Sequence, residues 1–235
     1  MSDRASKKLE QENEALRQEL EDLRRQTGGP STGDSWSAFK RLLPSARKKV
    51  ASQYKPPKEG RKEVTAFLEA AKNGEAEEVE RLLIAGVPVD VIAPWEFGQT
   101  ALHMAATWGH THTLELLLAN RADVDKRDDN GETALYKSAQ WGRLETVNAL
   151  IAHGARIDIP AKRTKQTPLM VAASRGQVEV CVVLVREGAS ARSMDANGMT
   201  ALQCARASDQ EEAAVAIETT LEQRRKSKAI DPTQL

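Results

Sequence analysis

Apolar positions in this chain recur as a block. From Thr100 the order Thr-Ala-Leu is followed by the small pair Ala105/Ala106, then Gly109, an apolar Leu114 and the aliphatic pair Leu117/Leu118. The Thr-x-Leu triplet returns at Thr133, Thr167 and Thr200, steps of 33, 34 and 33 by subtraction, so the unit is about 33 residues long. A fainter copy begins 35 residues earlier, at Thr65-Ala66-Phe67. The other columns keep register. Small pairs stand at Ala70/Ala71, Ser138/Ala139 and Ala172/Ala173, glycines at Gly74, Gly142 and Gly176, and aliphatic pairs at Leu82/Leu83, Leu150/Ile151 and Leu184/Val185. These spacings are helical, and each unit is predicted to be two short helices joined around its glycine. One such pair buries a single face, so stacking against neighbours is what closes the core.

Read together, these columns resemble the ankyrin family, whose units carry Gly-x-Thr-Pro-Leu-His-x-Ala-Ala. The resemblance covers roughly 61 to 225 and implies an all-α, helix-turn-helix repeat solenoid with finger loops. It places first helices at about 66–73, 101–108, 134–141, 168–175 and 201–208, each capped by its threonine hydroxyl. His103 stands alone in the family's histidine column, where Tyr136, Met170 and Gln203 replace it. Five repeats are expected, at about 61–93, 94–127, 128–160, 161–194 and 195–227, with a disordered tail at 228–235. Gly86, Gly154 and Gly188 follow the second helices, where a left-handed residue ends a helix. Arg121 holds that place in one repeat and should cost about 1 kcal/mol there relative to glycine. In the last repeat Arg206, Asp209 and Glu218 replace an alanine, the glycine and an aliphatic residue, as suits a polar terminal cap. Its final helix is expected to bury Ala214, Val215 and Ile217 and to end among Arg224, Arg225 and Lys226.

Ahead of the array the pattern changes. Residues 8–26 carry heptads, with Leu9, Leu16 and Leu23 at d and Asn13 and Leu20 at a. In a parallel pair Glu12 faces Arg17 and Glu19 faces Arg24, opposite in sign, and a lone Asn at a favours two strands in register. The run is short for a coiled coil, so a solvated helix, or one pairing with another protein, stays open beside a parallel homodimer. A homodimer through residues 8–26, within a coiled-coil helix expected at 1–27, would present two binding faces and raise avidity.

Residues 28–60 read as a linker, flexible through about 35 and then basic and amphipathic. From Trp36 to Lys62 nine Lys or Arg stand against the single acid Glu59. Trp36, Phe39, Leu42 and Leu43 share a helical face. Three readings fit the segment 36–54: an anionic membrane surface or partner groove, an import signal at Arg47-Lys48-Lys49, or a cap on the first repeat.

Composition excludes more than it selects. The 235 residues carry 34 basic and 34 acidic side chains and are 40% hydrophobic. With no long apolar run and both cysteines in repeat positions, a reducing cytosolic compartment, or a nuclear one, is expected. No phosphate loop, nucleophile elbow or kinase signature appears. The histidines lack metal-pair spacing, no cofactor is implied, and the array offers no uniform basic groove for nucleic acid.

What remains is recognition. In ankyrin-like arrays variable side chains gather on the fingers and the inner face of the first helices, and here the position before each glycine reads Asn73, Trp108, Trp141, Arg175, Ser208. Trp and Arg are the side chains most enriched at binding hot spots. The expectation is a non-enzymatic adaptor that holds a protein or peptide partner on the concave face. Trp108 and Trp141 are its anchors, Trp95 and Phe97 its finger contacts, and Arg163, Arg175 and Glu132 its charged readers. A peptide with apolar anchors and acidic residues suits that mixture. Two alternatives stand beside it: a peripheral membrane protein using 36–54, and a methyl-lysine reader with Trp108, Trp141 and Phe97 as a cage. The tryptophans also read simply as covers that stabilise neighbouring helices.

Overall fold

The computed structural model describes residues 60–92 and 97–229. The heptad residues Leu9, Asn13, Leu16, Leu20 and Leu23, the basic segment and Trp95 lie outside the described residues. Among those described there are ten helices and no strand. The first helices of the units are α1 (Gly60–Asn73), α3 (Ala101–Trp108), α5 (Ala134–Gln140), α7 (Pro168–Ser174) and α9 (Ala201–Ala207). The second helices are α2 (Ala76–Ile84), α4 (Thr111–Ala119), α6 (Leu144–Ala152), α8 (Val178–Arg186) and α10 (Glu211–Ala229).

Each helix packs chiefly on its own partner and on its counterpart in the next unit. First helices lie in closer succession than second helices, except at the α8–α10 end, so the row curves with the first helices inside. The apolar columns fill the space between. Phe67, Leu102, Leu135 and Leu169 from the first helices and Leu117, Leu150 and Leu184 from the second are almost wholly buried. Each such side chain stabilises by about 1.5–3 kcal/mol. The small pairs, Ala105/Ala106 among them, have no exposed surface, which is what lets the first helices approach closely.

The threonine caps form where a finger precedes the helix. Thr133, Thr167 and Thr200 accept the N–H of Tyr136, Met170 and Gln203 at 3.2, 3.4 and 3.5 Å. In the first unit the expected start at 66 is wrong: α1 begins at Gly60 and Thr65 lies inside it. The reason is local. Two residues before each capping threonine the chain turns through positive φ, at Gly98, Gly131, Lys165 and Gly198. Glu63 holds that place in the first unit, and nothing there breaks the helix.

Fingers and turns stitch the units together through groups that single-unit patterns do not reveal. Asp129, Lys162 and Ala196 donate their N–H to the carbonyls of Phe97, Asn130 and Thr164 at 2.9, 2.8 and 2.8 Å. After the second helices the carboxylates of Asp90, Asp125 and Asp158 accept the N–H of Asp123, Arg156 and Ser190 in the next unit, at 3.1, 2.9 and 3.1 Å. Burial pushes the Asp90 carboxyl above its ordinary pKa, partly offset by that N–H.

The residue after each inter-helix glycine also reaches back over the preceding unit. His110, Arg143, Gln177 and Gln210 cover Gly74, Gly109, Gly142 and Gly176 so closely that a Cβ there would collide. Among the described residues no unit rests on the last, and Asp209 stands in the glycine column there with φ +56. Arg121 adopts the left-handed φ of +66 expected of it.

The terminal repeat is polar as expected, with two corrections. Arg206 and Glu218, the two charges that replace apolar residues, pair at 2.9 Å. Val215, expected in the core, is 51% exposed, and Ala213 takes its place beside Ala214 and Ile217. At 100° per residue 213, 214 and 217 share one face, which turns 215 outward. The helix runs to Ala229, past the basic cluster expected to end it.

His103 ties the second unit to the third. Its Nδ1 accepts the Thr100 N–H at 3.2 Å, so Nε2 carries the proton and donates to the Glu132 carbonyl at 3.1 Å. Burial, the largest cause, lowers its pKa from 6.5; Asp128 and the Glu132 carbonyl oppose the shift and Lys137 adds to it. A base whose pKa is depressed on folding contributes stability that is present above its unfolded value and is lost as pH falls toward the folded value. Gln203 occupies the same column and makes the same cap, accepting the Thr200 N–H at 2.8 Å. Urea midpoints at pH 7.5 and 5.5 should therefore show a larger acid penalty in the wild type than in His103→Gln. Equal penalties would mean that His103 does not titrate in this range.

Candidate protein-binding face

Two tryptophans stand on the inner row. Trp108 closes α3 and Trp141 caps the C-terminus of the neighbouring α5. Both point outward, 48% and 49% exposed, in a fold whose other first-helix residues are mostly buried. A cation lies over each ring: Lys72 Nζ is 5.7 Å from the Trp108 centroid and Arg175 Cζ is 5.9 Å from that of Trp141. Such contacts are worth about 0.5–1 kcal/mol at exposed sites and hold both rings in place. The order across four units is Lys72, Trp108, Trp141, Arg175.

Arg175 belongs to the expected column, but Lys72 does not. It sits one residue before Asn73, in the column's first unit, and is brought to Trp108 by the packing of α1 on α3. Pattern reading compares equivalent positions, whereas this contact joins non-equivalent ones. The available signal was a long cationic side chain beside the column on the preceding helix.

The other expected residues separate into two groups. Phe97 is 66% exposed at the finger base and holds φ +54, a strained conformation for a bulky residue that is most often retained at functional positions. Arg163 is exposed on the finger before α7. Glu132, by contrast, is engaged within the fold. Its carboxylate contacts Lys137 Nζ, which also stands 3.2 Å from Asp128 Oδ2. Asp128 Oδ1 accepts the N–H of Asn130 and of Glu132, both at 2.9 Å.

The remaining reactive groups are packed away. Burial pushes the Cys181 thiol up to about 12 and raises that of Cys204 as well, so both are protonated and unreactive at neutral pH. The Tyr136 phenol is likewise pushed up to about 12 by burial. Among the described residues no three His, Cys, Asp or Glu side chains lie close enough to share a metal ion, and no helix is long and apolar enough to cross a membrane.

Helix pairs that stack on their nearest neighbours and display a row of side chains along the inner face define a helical-repeat solenoid. The family is fixed by sequence as well: a family model for ankyrin repeats in three copies matches residues 67–162 and 158–217, and the chain belongs to the ankyrin-repeat family. Ankyrin repeats are in general protein–protein interaction modules. No curated protein matches the chain.

Proposed function

We propose that this chain is a non-enzymatic adaptor that holds a protein or peptide partner on the concave face of its ankyrin array. The observation that carries the reading is the pair of half-exposed tryptophans on neighbouring first helices, each already oriented by a cation. Rigid, partly exposed aromatic side chains supply large contact area at small entropic cost. Trp108 and Trp141 act as anchors, Phe97 and Trp95 extend the contact along the finger, and Arg175 and Arg163 read charge.

The test is a pull-down from native extract with wild type and a Trp108→Ala/Trp141→Ala variant, with folding checked by circular dichroism. Partners captured by the wild type should be missing from the variant. Because both rings are half exposed, the array itself should lose little stability. If every partner survives, the tryptophans are helix covers and binding lies elsewhere in the chain.

A further inference from the structure

We propose that the element recognised on this face is an acidic peptide. A large apolar side chain sits against Trp108 and Trp141, and a carboxylate on each side pairs with Lys72 and Arg175. This rests on the concave face being the binding face.

The argument is charge complementarity. Among the described residues neither Lys72 nor Arg175 has a carboxylate within ion-pairing reach, and both are exposed. Two of the acids on the intervening finger are held by the fold's own lysine. Asp128 and Glu132 turn inward to Lys137, and Asp129 lies back against Gly98, where a Cβ would stand 2.5 Å from its Oδ1. What the face offers a visitor is therefore two apolar rings between two unpaired cations, with the exposed Lys162, Arg163 and Lys165 on the adjoining finger.

The same arrangement argues against a cationic ligand. Each ring already carries one of the chain's own cations, so a methylated lysine would approach two like charges instead of an empty cage. It also argues against a single-stranded nucleic acid, which needs free ring faces for base stacking along a continuous basic groove.

Geometry sets the spacing. The rings stand on helices packed about 10 Å apart, and each cation lies on the outer side, toward the first or the fourth unit, which puts the charges on the order of 20 Å apart. An extended chain advances about 3.3 Å per residue, so the two acidic residues should be about six apart.

The probe is a displayed library of random dodecapeptides, selected in parallel on the full-length wild type, on Lys72→Glu/Arg175→Glu and on Trp108→Ala/Trp141→Ala. Circular dichroism verifies each fold, and enriched peptides are resynthesised for calorimetry. The wild type should enrich peptides in which two Asp or Glu, about six residues apart, bracket a large apolar residue. Affinity for them should fall about tenfold on the charge-reversed variant, which should select Lys or Arg at those positions instead.

Peptides that need the tryptophans but bind the charge-reversed variant unchanged would overturn the acidic pairing and leave the concave face as the binding face. Peptides indifferent to both variants would overturn both readings. No enrichment, or tighter binding of an oligothymidylate than of any peptide, would also overturn the proposal, the first because the face takes no linear peptide and the second because its ligand is a nucleic acid.

Discussion

Replacing Lys137 by methionine should destabilise the array by about 3 kcal/mol, a large share of the stability of a small domain. Lys137 lies on the inner face of α5, four residues after its capping threonine, in a column that reads Glu69, exposed, in the first unit and Met104, Val171 and Cys204 in the others. Its side chain is 10% exposed, that of Asp128 not at all and that of Glu132 18%. Methionine would fill the volume but leave two carboxylates together without a cation, and Asp128 Oδ2 would lose the one ion-pair partner it has among the described residues. An uncompensated buried charge costs far more than the net worth of the ion pair that held it.

The last finger tells which carboxylate needs the lysine. Asp195 makes the same turn there, accepting the N–H of Asn197 and Met199 at 2.8 and 2.9 Å, without a lysine beside it. The residue before the threonine there is Met199 in place of Glu132. The double variant Lys137→Met/Glu132→Met gives the third finger an apolar pair at the two places where the last has Met199 and Cys204, and should recover most of the loss. Urea denaturation of both variants decides it; a double variant no more stable than the single one would show that Asp128, not the doubled charge, makes the lysine necessary.

Lys137 also marks the border of what the sequence disclosed. Side chains that repeat at equivalent positions were legible, because burial imposes the same demand on every unit. The Thr-x-Leu triplets, the small pairs, the glycines and the aliphatic pairs all occupy the places their spacing assigns. Groups that join one unit to the next were not legible, because the partners stand at different offsets in neighbouring units. Asp90, Asp125 and Asp158 form a column as regular as the glycines, yet an acid at a turn has many ordinary explanations until its acceptor role is seen. Lys72 over Trp108 is of the same kind. In the sequence Glu132 looks like a charge offered to a partner, but a lysine five residues away holds it.

The glycines of the fingers allow that distinction to be measured. Gly131 and Gly198 hold the same column, two residues before a capping threonine, with φ +74 and +76. A Cβ on Gly198 would meet nothing within 4 Å, since among the described residues no unit stacks beyond this finger. A Cβ on Gly131 would stand 2.8 Å from Lys162 Cβ and 2.9 Å from its backbone nitrogen, the same nitrogen that donates to the Asn130 carbonyl at 2.8 Å. Gly198→Ala should therefore cost only the left-handed penalty of about 1–2 kcal/mol. Gly131→Ala should cost that amount plus the displaced inter-finger bond and its packing, about 2–4 kcal/mol in all. Lys165 adopts φ +55 in the same column, but in the finger lengthened by one residue, where a side chain has room. Chemical denaturation of the two alanine variants side by side removes the shared dihedral cost, and the excess in Gly131→Ala is the cost of displacing Lys162 of the next unit together with the Arg127 guanidinium, whose Nη2 would lie 2.8 Å from the new Cβ. Equal losses would place the whole demand for glycine in the backbone dihedral and none in the stacking.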